Sequence, residues 1–165
     1  MKKLIFVRHG RAEEAGSGCS DIERSLTARG KKVLEQMALI LLGKKEDPGL
    51  FITSPAFRAY ETCLIFARVF GHDPDKIVMK SSLYYKSGLK AFATVFEGIG
   101  NKIDSIILFG HNPSFTEIPD RLSATGCDFV PKSGIVCLSF KSDTWEGIFH
   151  GKGKMEYFLK PEKIS

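Results

Sequence analysis

Three residues with catalytic potential follow the first apolar run of the chain. Arg8, His9 and Gly10 come directly after Leu4–Val7, a short apolar run that predicts a buried parallel strand. Histidine can act as a nucleophile, arginine can bind phosphoryl oxygens with its forked donors, and glycine lets a ligand approach the backbone. Because ligands of open α/β sheets bind beyond the carboxyl ends of the strands, this placement predicts a site.

Two further apolar runs are followed by the same kinds of side chain. Arg58 comes after Leu50–Thr53, and His111 and Asn112 come after Ile106–Phe109. Parallel pairing brings the carboxyl ends of strands to one edge of the sheet. We therefore expect these side chains to meet the first group there.

The hydrophobic pattern predicts the elements that position these residues. Helices are predicted from the N-cap Thr27 to about Leu42, from Ser54-Pro55 to Phe70, from Leu89 to about Ile99, and after Pro113, where Pro119 should kink or restart the helix. Further strands are predicted at Ile77–Met79, Gly134–Phe140 and Glu156–Leu159. No helix separates the last two, so we expect them to be antiparallel. The pattern predicts one α/β domain over residues 1–165, with three layers (α/β/α), a mostly parallel sheet and an antiparallel edge.

A long polar segment, Arg11–Ser25, leaves the end of the first predicted strand. Loops of this length are usually functional or disordered. We interpret it as a flap over the site, from which Asp21 or Glu23 could reach the reacting group.

Composition narrows the function classes. The 165-residue chain carries a net charge of +5, but no arginine-rich tract or basic stripe interleaved with aromatic residues, so nucleic-acid binding is not expected. No apolar stretch approaches the roughly 20 residues that span a membrane, and the apolar start is too short for a signal peptide. We expect a cytoplasmic protein with reduced cysteines that does not bind a membrane. No apolar stripe is left over for a partner copy, and we expect a monomer.

Four motifs resemble those of the histidine phosphatase superfamily, the group that includes the phosphoglycerate mutases. They are Arg8-His9-Gly10, Arg24-Ser25-Leu26-Thr27 with Gly30, Ser54-Pro55 with Arg58 and Thr62, and Gly110-His111-Asn112-Pro113. The small size and the Gly-His-Asn-Pro form are most similar to the SixA-type phosphohistidine phosphatases. The resemblance implies a phosphoglycerate mutase-like fold.

The resemblance also implies a covalent mechanism without a metal or other cofactor. It implies catalytic roles for His9, Arg8, Arg58 and His111, and substrate-binding roles for Arg24, Gly10 and Asn112. His9 would attack phosphorus and become phosphohistidine, which water then hydrolyses. The positive charges of Arg8 and Arg58 would keep its imidazole neutral.

One departure from the family bears on the substrate. Larger members carry a carboxylic acid after the second motif that protonates an alkoxide leaving group, but Ser81–Tyr85 contains no Asp or Glu. This favours a phosphoramidate, because imidazole leaves phosphorus with less help from an acid. The expected partner is a phosphohistidine-bearing protein or a small phosphorylated substrate. Whether Tyr84 or Tyr85 replaces the acid stays open.

Three alternatives remain at this point. The protein could hydrolyse a small phosphomonoester, or bind phosphoanions without catalysis. His9, His111 and a carboxylate could also hold a metal ion, although no H-x-H or H-E-x-x-H spacing occurs and two arginines would repel a dication.

Overall fold

A single six-stranded sheet forms the centre of the computed structural model, which describes residues 1–16, 18–86 and 88–162. The strands are β1 (Lys2–Arg8), β2 (Leu50–Thr53), β3 (Val78–Met79), β4 (Ser105–Gly110), β5 (Ile135–Phe140) and β6 (Lys154–Leu159). Their order in the sheet is β3-β2-β4-β1-β5-β6. The first four strands in this order pair in parallel, and β5 and β6 pair antiparallel. The predicted mixed sheet with an antiparallel edge is confirmed.

Helices cover both faces of the sheet. They are α1 (Ala28–Gly43), α2 (Phe57–Phe70), α3 (Leu89–Ala93) and α4 (Ser114–Leu122). Successive side chains of a strand point to opposite faces. Leu4 and Phe6 of β1 therefore pack in one core with α3 and α4, whereas Ile5 and Val7 pack in the other with α1 and α2. These two cores give the three predicted layers.

The helix boundaries differ from the predicted ones in three places. Helix α2 begins at Phe57 rather than at Ser54-Pro55, because the Ser54 hydroxyl accepts from the Ala56 N–H in a turn before the helix. Helix α3 ends at Ala93 and a 3₁₀ turn follows, which Thr94 favours by donating its hydroxyl to the Ala91 carbonyl. Pro119 is tolerated inside α4 because it lies in the final turns, where few hydrogen bonds follow it.

The predicted flap is anchored at both ends. Its base joins the start of α1, where the Thr27 N–H donates to the Arg11 carbonyl at 2.9 Å. Gly30 makes this approach possible, because a Cβ at that position would collide with the Arg11 carbonyl oxygen. Thr27 caps α1 as predicted, its hydroxyl accepting from the Gly30 N–H at 2.9 Å. Ser17, within this segment, lies outside the described residues.

The helices and cysteines of the described residues have two further properties. None of the helices in this part of the chain combines the length and the apolarity that a membrane span needs. All four cysteines are unpaired, and Cys63 and Cys137 are buried, as expected for small core residues.

Candidate active site

His9 lies at the carboxyl end of β1, with its imidazole buried and one ring nitrogen already occupied. Its backbone N–H continues the sheet by donating to the Gly110 carbonyl at 3.0 Å. Nδ1 lies 2.7 Å from the Gly10 carbonyl oxygen, and because a carbonyl can only accept, Nδ1 carries the proton. In the neutral ring the lone pair is therefore on Nε2, the form a nucleophilic imidazole requires.

His111 lies beside His9, as parallel pairing of β1 and β4 predicts. The ring centroids are 5.1 Å apart. Nε2 of His111 lies 2.8 Å from the Ser54 hydroxyl, and Nδ1 is buried with no hydrogen-bond partner in the described chain. The Ser54 oxygen accepts from the Ala56 N–H, and its own proton has no acceptor other than Nε2 among the described residues, so the hydroxyl donates to Nε2. This places the imidazole proton on Nδ1 and makes that nitrogen an unused donor.

Both imidazoles are neutral at ordinary pH. Burial, together with the positive charges of Arg58 and Arg8, lowers the pKa of His9 to about 3. Burial also lowers the pKa of His111 to about 3, with contributions from His9 and Arg58. The predicted effect of the arginines on His9 is present, but desolvation is the larger cause.

Two arginines supply the positive charge of the site. Arg58, buried in the first turn of α2, donates from Nη1 to the Asp21 carbonyl at 2.7 Å and from Nη2 to the Asp21 carboxylate at 3.1 Å. Arg8 donates from Nη1 to the Val130 carbonyl at 3.0 Å, and its guanidinium lies 5.5 Å from the centre of the Phe129 ring. The Nε atoms of both are buried without a hydrogen-bond partner in the described residues. Each arginine thus keeps donor capacity in reserve.

Asp21 reaches the site from the flap, one of the two possibilities that the sequence left open. Its carboxylate accepts from Arg58, from Arg24 at 3.0 Å and from the Tyr84 hydroxyl at 2.7 Å. These bonds, the one from Tyr84 first, hold the pKa of Asp21 well below its usual range. Asp21 is therefore an anion at neutral pH. Glu23 instead bonds Ser20 within its own turn.

Tyr84 bridges the flap and the histidine pair. Its ring lies edge-on to His111 with centroids 5.6 Å apart, and the hydrogen bond to Asp21 raises the pKa of its hydroxyl. The hydroxyl therefore keeps its proton at neutral pH. Tyr85 packs on Tyr84 and is largely exposed.

The three residues predicted to bind substrate differ in position. Arg24 belongs to the cluster, since it donates to Asp21 and, from Nε, to the Glu13 carbonyl. Gly10 packs closely on α1, where a Cβ would lie 2.6 Å from a methyl group of Leu34. The Asn112 amide donates to the Val130 carbonyl at 2.9 Å. The binding roles of these residues stay predictions.

Two contacts of the site were not predicted from the sequence. Ser54 reads as a helix N-cap, yet its hydroxyl contacts His111. The segment around Val130 follows no predicted strand, yet its carbonyl accepts from both Arg8 and Asn112. Only the assembled sheet brings these groups to the histidines.

The cluster as a whole fits a small tetrahedral anion. It combines a free imidazole lone pair on His9, an unused Nδ1–H on His111 and two guanidinium groups with spare donors. The described chain contains no group of three or more His, Cys, Asp or Glu side chains placed to hold a metal ion.

Comparison with known protein families identifies the class of protein that this chain resembles. The model of the histidine phosphatase superfamily (branch 1) matches residues 4–80, which contain three of the four sequence motifs. This match, together with the fold and the paired histidines, makes the chain similar to members of the histidine phosphatase superfamily. No curated protein matches the sequence.

Comparison with solved structures shows which known folds this chain resembles. The chain superposes on the protein histidine phosphatase SixA complexed with tungstate, with a TM-score of 0.81 at 20% identity over 96% of this chain and 97% of that one. It also superposes on structures assigned as the phosphohistidine phosphatase SixA from Agrobacterium tumefaciens (TM-score 0.77, 22% identity, 97% and 99% covered) and from Nakamurella multipartitia (0.77, 16%, 97% and 96%). At these identities the similarity shows a SixA-like fold.

Proposed function

We propose that the protein is a phosphohistidine phosphatase that uses His9 as its nucleophile. The observation that carries this proposal is the state of His9, a buried neutral imidazole whose Nδ1–H is held by the Gly10 carbonyl. In the first step Nε2 forms a bond to phosphorus while the bond from phosphorus to the substrate nitrogen breaks. In the second step water attacks phosphorus, and His9 leaves as the free base with phosphate as the product.

The arginines and His111 stabilise the charge on the phosphoryl group. Arg8 and Arg58 each have donors to spare, and the Nδ1–H of His111 has no protein partner in the described residues. Donors that are held in place before the reaction stabilise the transition state without reorganising. In this mechanism Ser54 is a positioning residue, because it fixes the tautomer of His111.

When substrate binds, Arg58 exchanges its contact with the Asp21 carboxylate for a contact with the phosphoryl group. In the free protein its carboxylate takes a guanidinium nitrogen that a phosphoryl oxygen would otherwise use. A phosphoryl oxygen that uses this nitrogen therefore displaces the Asp21 carboxylate from Arg58, while Arg24 and Tyr84 still hold Asp21. The flap contact thus competes with substrate for the same donors.

A phosphoramidate substrate suits the proton donors of the site. Asp21 is ionised and cannot protonate a leaving group, and the Tyr84 hydroxyl is a weak acid. The imidazole of phosphohistidine can take its proton from solvent on the distal ring nitrogen and leave neutral. An alkoxide has no such route and needs an acid at the reacting oxygen. The relatives' SixA fold and the tungstate, a tetrahedral oxyanion, held by one of them support the same assignment.

A phosphoenzyme trap tests this function. The protein is incubated with a phosphohistidine peptide and a chelator, quenched at alkaline pH and mapped by mass spectrometry. We expect phosphate on His9 in the wild-type protein and in His150→Ala, an exposed-histidine control. We expect none in His9→Ala.

Other results would overturn parts of the proposal. A peptide that stays phosphorylated while His9 stays bare contradicts it and favours a binding module. Rapid hydrolysis of a sugar phosphate, with none of phosphohistidine, makes the protein a phosphomonoesterase. Loss of turnover in the chelator favours a metal site.

A further inference from the structure

A basic cavity adjoins the candidate site on the α1 side. It has a volume of about 450 Å³, and its charged lining consists of Arg11, Arg29, Lys132 and one carboxylate, Glu162. We use "basic cavity" for this space. Three positive charges against one negative charge favour an anionic occupant.

The backbone joins the basic cavity to the catalytic histidine. Arg11 follows His9 by two residues, and the N–H of Ser133, beside Lys132, donates to the His9 carbonyl at 3.1 Å. The positive charge of Lys132 contributes to lowering the pKa of His9. The charged groups of the basic cavity therefore lie close to the backbone of His9, within reach of a segment that flanks a ligand at the site.

The cations of the basic cavity are not used by the fold. The side chains of Arg11, Arg29 and Lys132 are exposed, and none makes a hydrogen bond or an ion pair in the part of the chain that the structure describes. Arg8, Arg24 and Arg58 of the site all have protein acceptors. The three charges of the cavity thus remain available to a partner.

Exposed aromatic rings border the same site. Among the described residues, the exposed aromatic side chains are Phe57, Tyr85 and Phe129, at 46%, 67% and 65% exposure. Phe57 precedes Arg58, Tyr85 packs on Tyr84, and Phe129 lies against Arg8. Aromatic residues and arginine are enriched at protein interfaces. This border favours a protein over a small metabolite as the carrier of the phosphoryl group.

We propose that the basic cavity binds an acidic segment that flanks the phosphohistidine of a protein substrate. This proposal rests on the proposed function and names the class of protein on which it acts. Carboxylates of the flanking segment pair with Arg11, Arg29 and Lys132 while the phosphoryl group lies at His9. The exposed rings contact the surface around the phosphohistidine.

Two matched phosphohistidine peptides test the proposal. One carries three glutamates on a flank and the other carries three glutamines. We expect the wild-type protein to prefer the glutamate peptide in kcat/KM by about tenfold at low ionic strength, and the preference to shrink with added salt. We expect Arg29→Gln combined with Lys132→Gln to abolish the preference. Lys102→Gln, an exposed change just before the amino end of β4, should retain it.

The outcomes separate the two proposals. Equal kcat/KM for the two peptides, or a preference that survives in the double variant, overturns the docking proposal and leaves the phosphatase intact. If neither peptide is hydrolysed, the phosphatase proposal fails. Fluorescence anisotropy with non-hydrolysable phosphonate versions of the two peptides then tests docking alone. Tighter binding of the glutamate peptide that Arg29→Gln removes supports the docking proposal. Equal binding of the two peptides overturns it.

Discussion

Buried basic side chains lie at both ends of β1, but they are paired at the amino end and only partly paired at the carboxyl end. At the amino end, Lys2 is almost fully buried, and its ammonium contacts the carbonyls of Asn101 and Ile103 and the Asp104 carboxylate and lies over the Trp145 ring. At the carboxyl end, the Nε atoms of Arg8 and Arg58 and the Nδ1 of His111 are buried without partners among the described residues.

The paired group at one end supports the stability of the fold, whereas the unpaired donors at the other end are suited to binding a ligand. A buried polar group without a partner costs free energy, so a fold keeps such groups where a ligand can satisfy them. At the amino end Lys2 is fully paired and contributes stability alone, whereas the nearby Ser105 hydroxyl is buried without a partner among the described residues. The carboxyl end holds donors that a substrate would pair in the proposed mechanism. Substitutions at the two ends should therefore affect different measurements.

The largest expected effect is acid destabilisation from the carboxyl end. His9 and His111 have pKa values of about 3 in the folded protein and an ordinary value of 6.5 when unfolded. The unfolded state therefore binds more protons between these values, and stability is present above pH 6.5 and lost as pH falls towards 3. The free energy of unfolding should drop by about 4 kcal/mol between pH 7 and pH 5, or about 2 kcal/mol for each histidine.

Urea unfolding at the two pH values measures this loss. His9→Asn should reduce it to about half, because one of the two titrating groups is gone. An NMR titration in which His9 titrates near pH 6.5 in the folded protein would contradict the assigned neutral state.

Lys2→Met tests the opposite end. The change removes the buried ammonium that donates to the Asn101 and Ile103 carbonyls and to the Asp104 carboxylate, and the Ile103 carbonyl keeps only its bond from the Trp145 Nε1–H. We expect a loss of about 2 kcal/mol in stability with no change in kcat. Lys3→Met should cost less, because Lys3 is more exposed than Lys2 and its partner Glu46 keeps the hydrogen bond from the Tyr157 hydroxyl. A fall in kcat for Lys2→Met would show that the two ends are not independent.

Ser54→Ala should affect chemistry more than stability. Without the hydroxyl, His111 no longer has its tautomer fixed, and we expect kcat/KM on a phosphohistidine peptide to fall about tenfold. The ¹⁵N shifts of the His111 ring should report a mixture of tautomers. Ser54→Thr should restore both properties, and an unchanged tautomer in Ser54→Ala would refute the positioning role.

Asp21→Asn should produce the smallest effect, in the direction of tighter binding. Removing the carboxylate frees a donor of Arg58, and Asp21 is half exposed. We expect inorganic phosphate to inhibit at about fivefold lower concentration, since an exposed ion pair is worth up to about 1 kcal/mol. Glu23→Gln, a neighbouring carboxylate without contact to Arg58, is the control. Weaker inhibition in Asp21→Asn would mean that Asp21 orients Arg58 instead of competing for it.

The sequence predicted the parts of the site that strands deliver. Apolar runs of β1, β2 and β4 are short and continuous, so the positions of His9, Arg58 and His111 at one edge follow from parallel pairing. Residues brought in by loops were harder to predict. Periodicity does not show where a loop packs, so the contacts of Asp21 with Tyr84 and of Val130 with Arg8 depend on the assembled fold.

Helix ends were predicted less well for a related reason. The predicted start of α2 relied on the local preference of Ser and Pro, but the Ser54 hydroxyl contacts His111 in the folded protein. A long-range contact thus overrides a local preference at a residue of the site. The N-cap at Thr27 has no such competing contact and was predicted correctly.

The backbone bonds of the site extend the sheet beyond its strands. The N–H groups of His9 and Ser54 donate to the Gly110 and Phe109 carbonyls, and that of Ser133 donates to His9. These bonds do not depend on side-chain identity. The flap, the segment with Tyr84 and Tyr85, and the basic cavity instead present side chains that lie mainly on loops, with Arg29 on α1 as an exception. Inherited changes in those loops can therefore alter the choice of partner while the reacting groups stay in register. In descent from a common ancestor, recognition and chemistry are free to diverge at different rates.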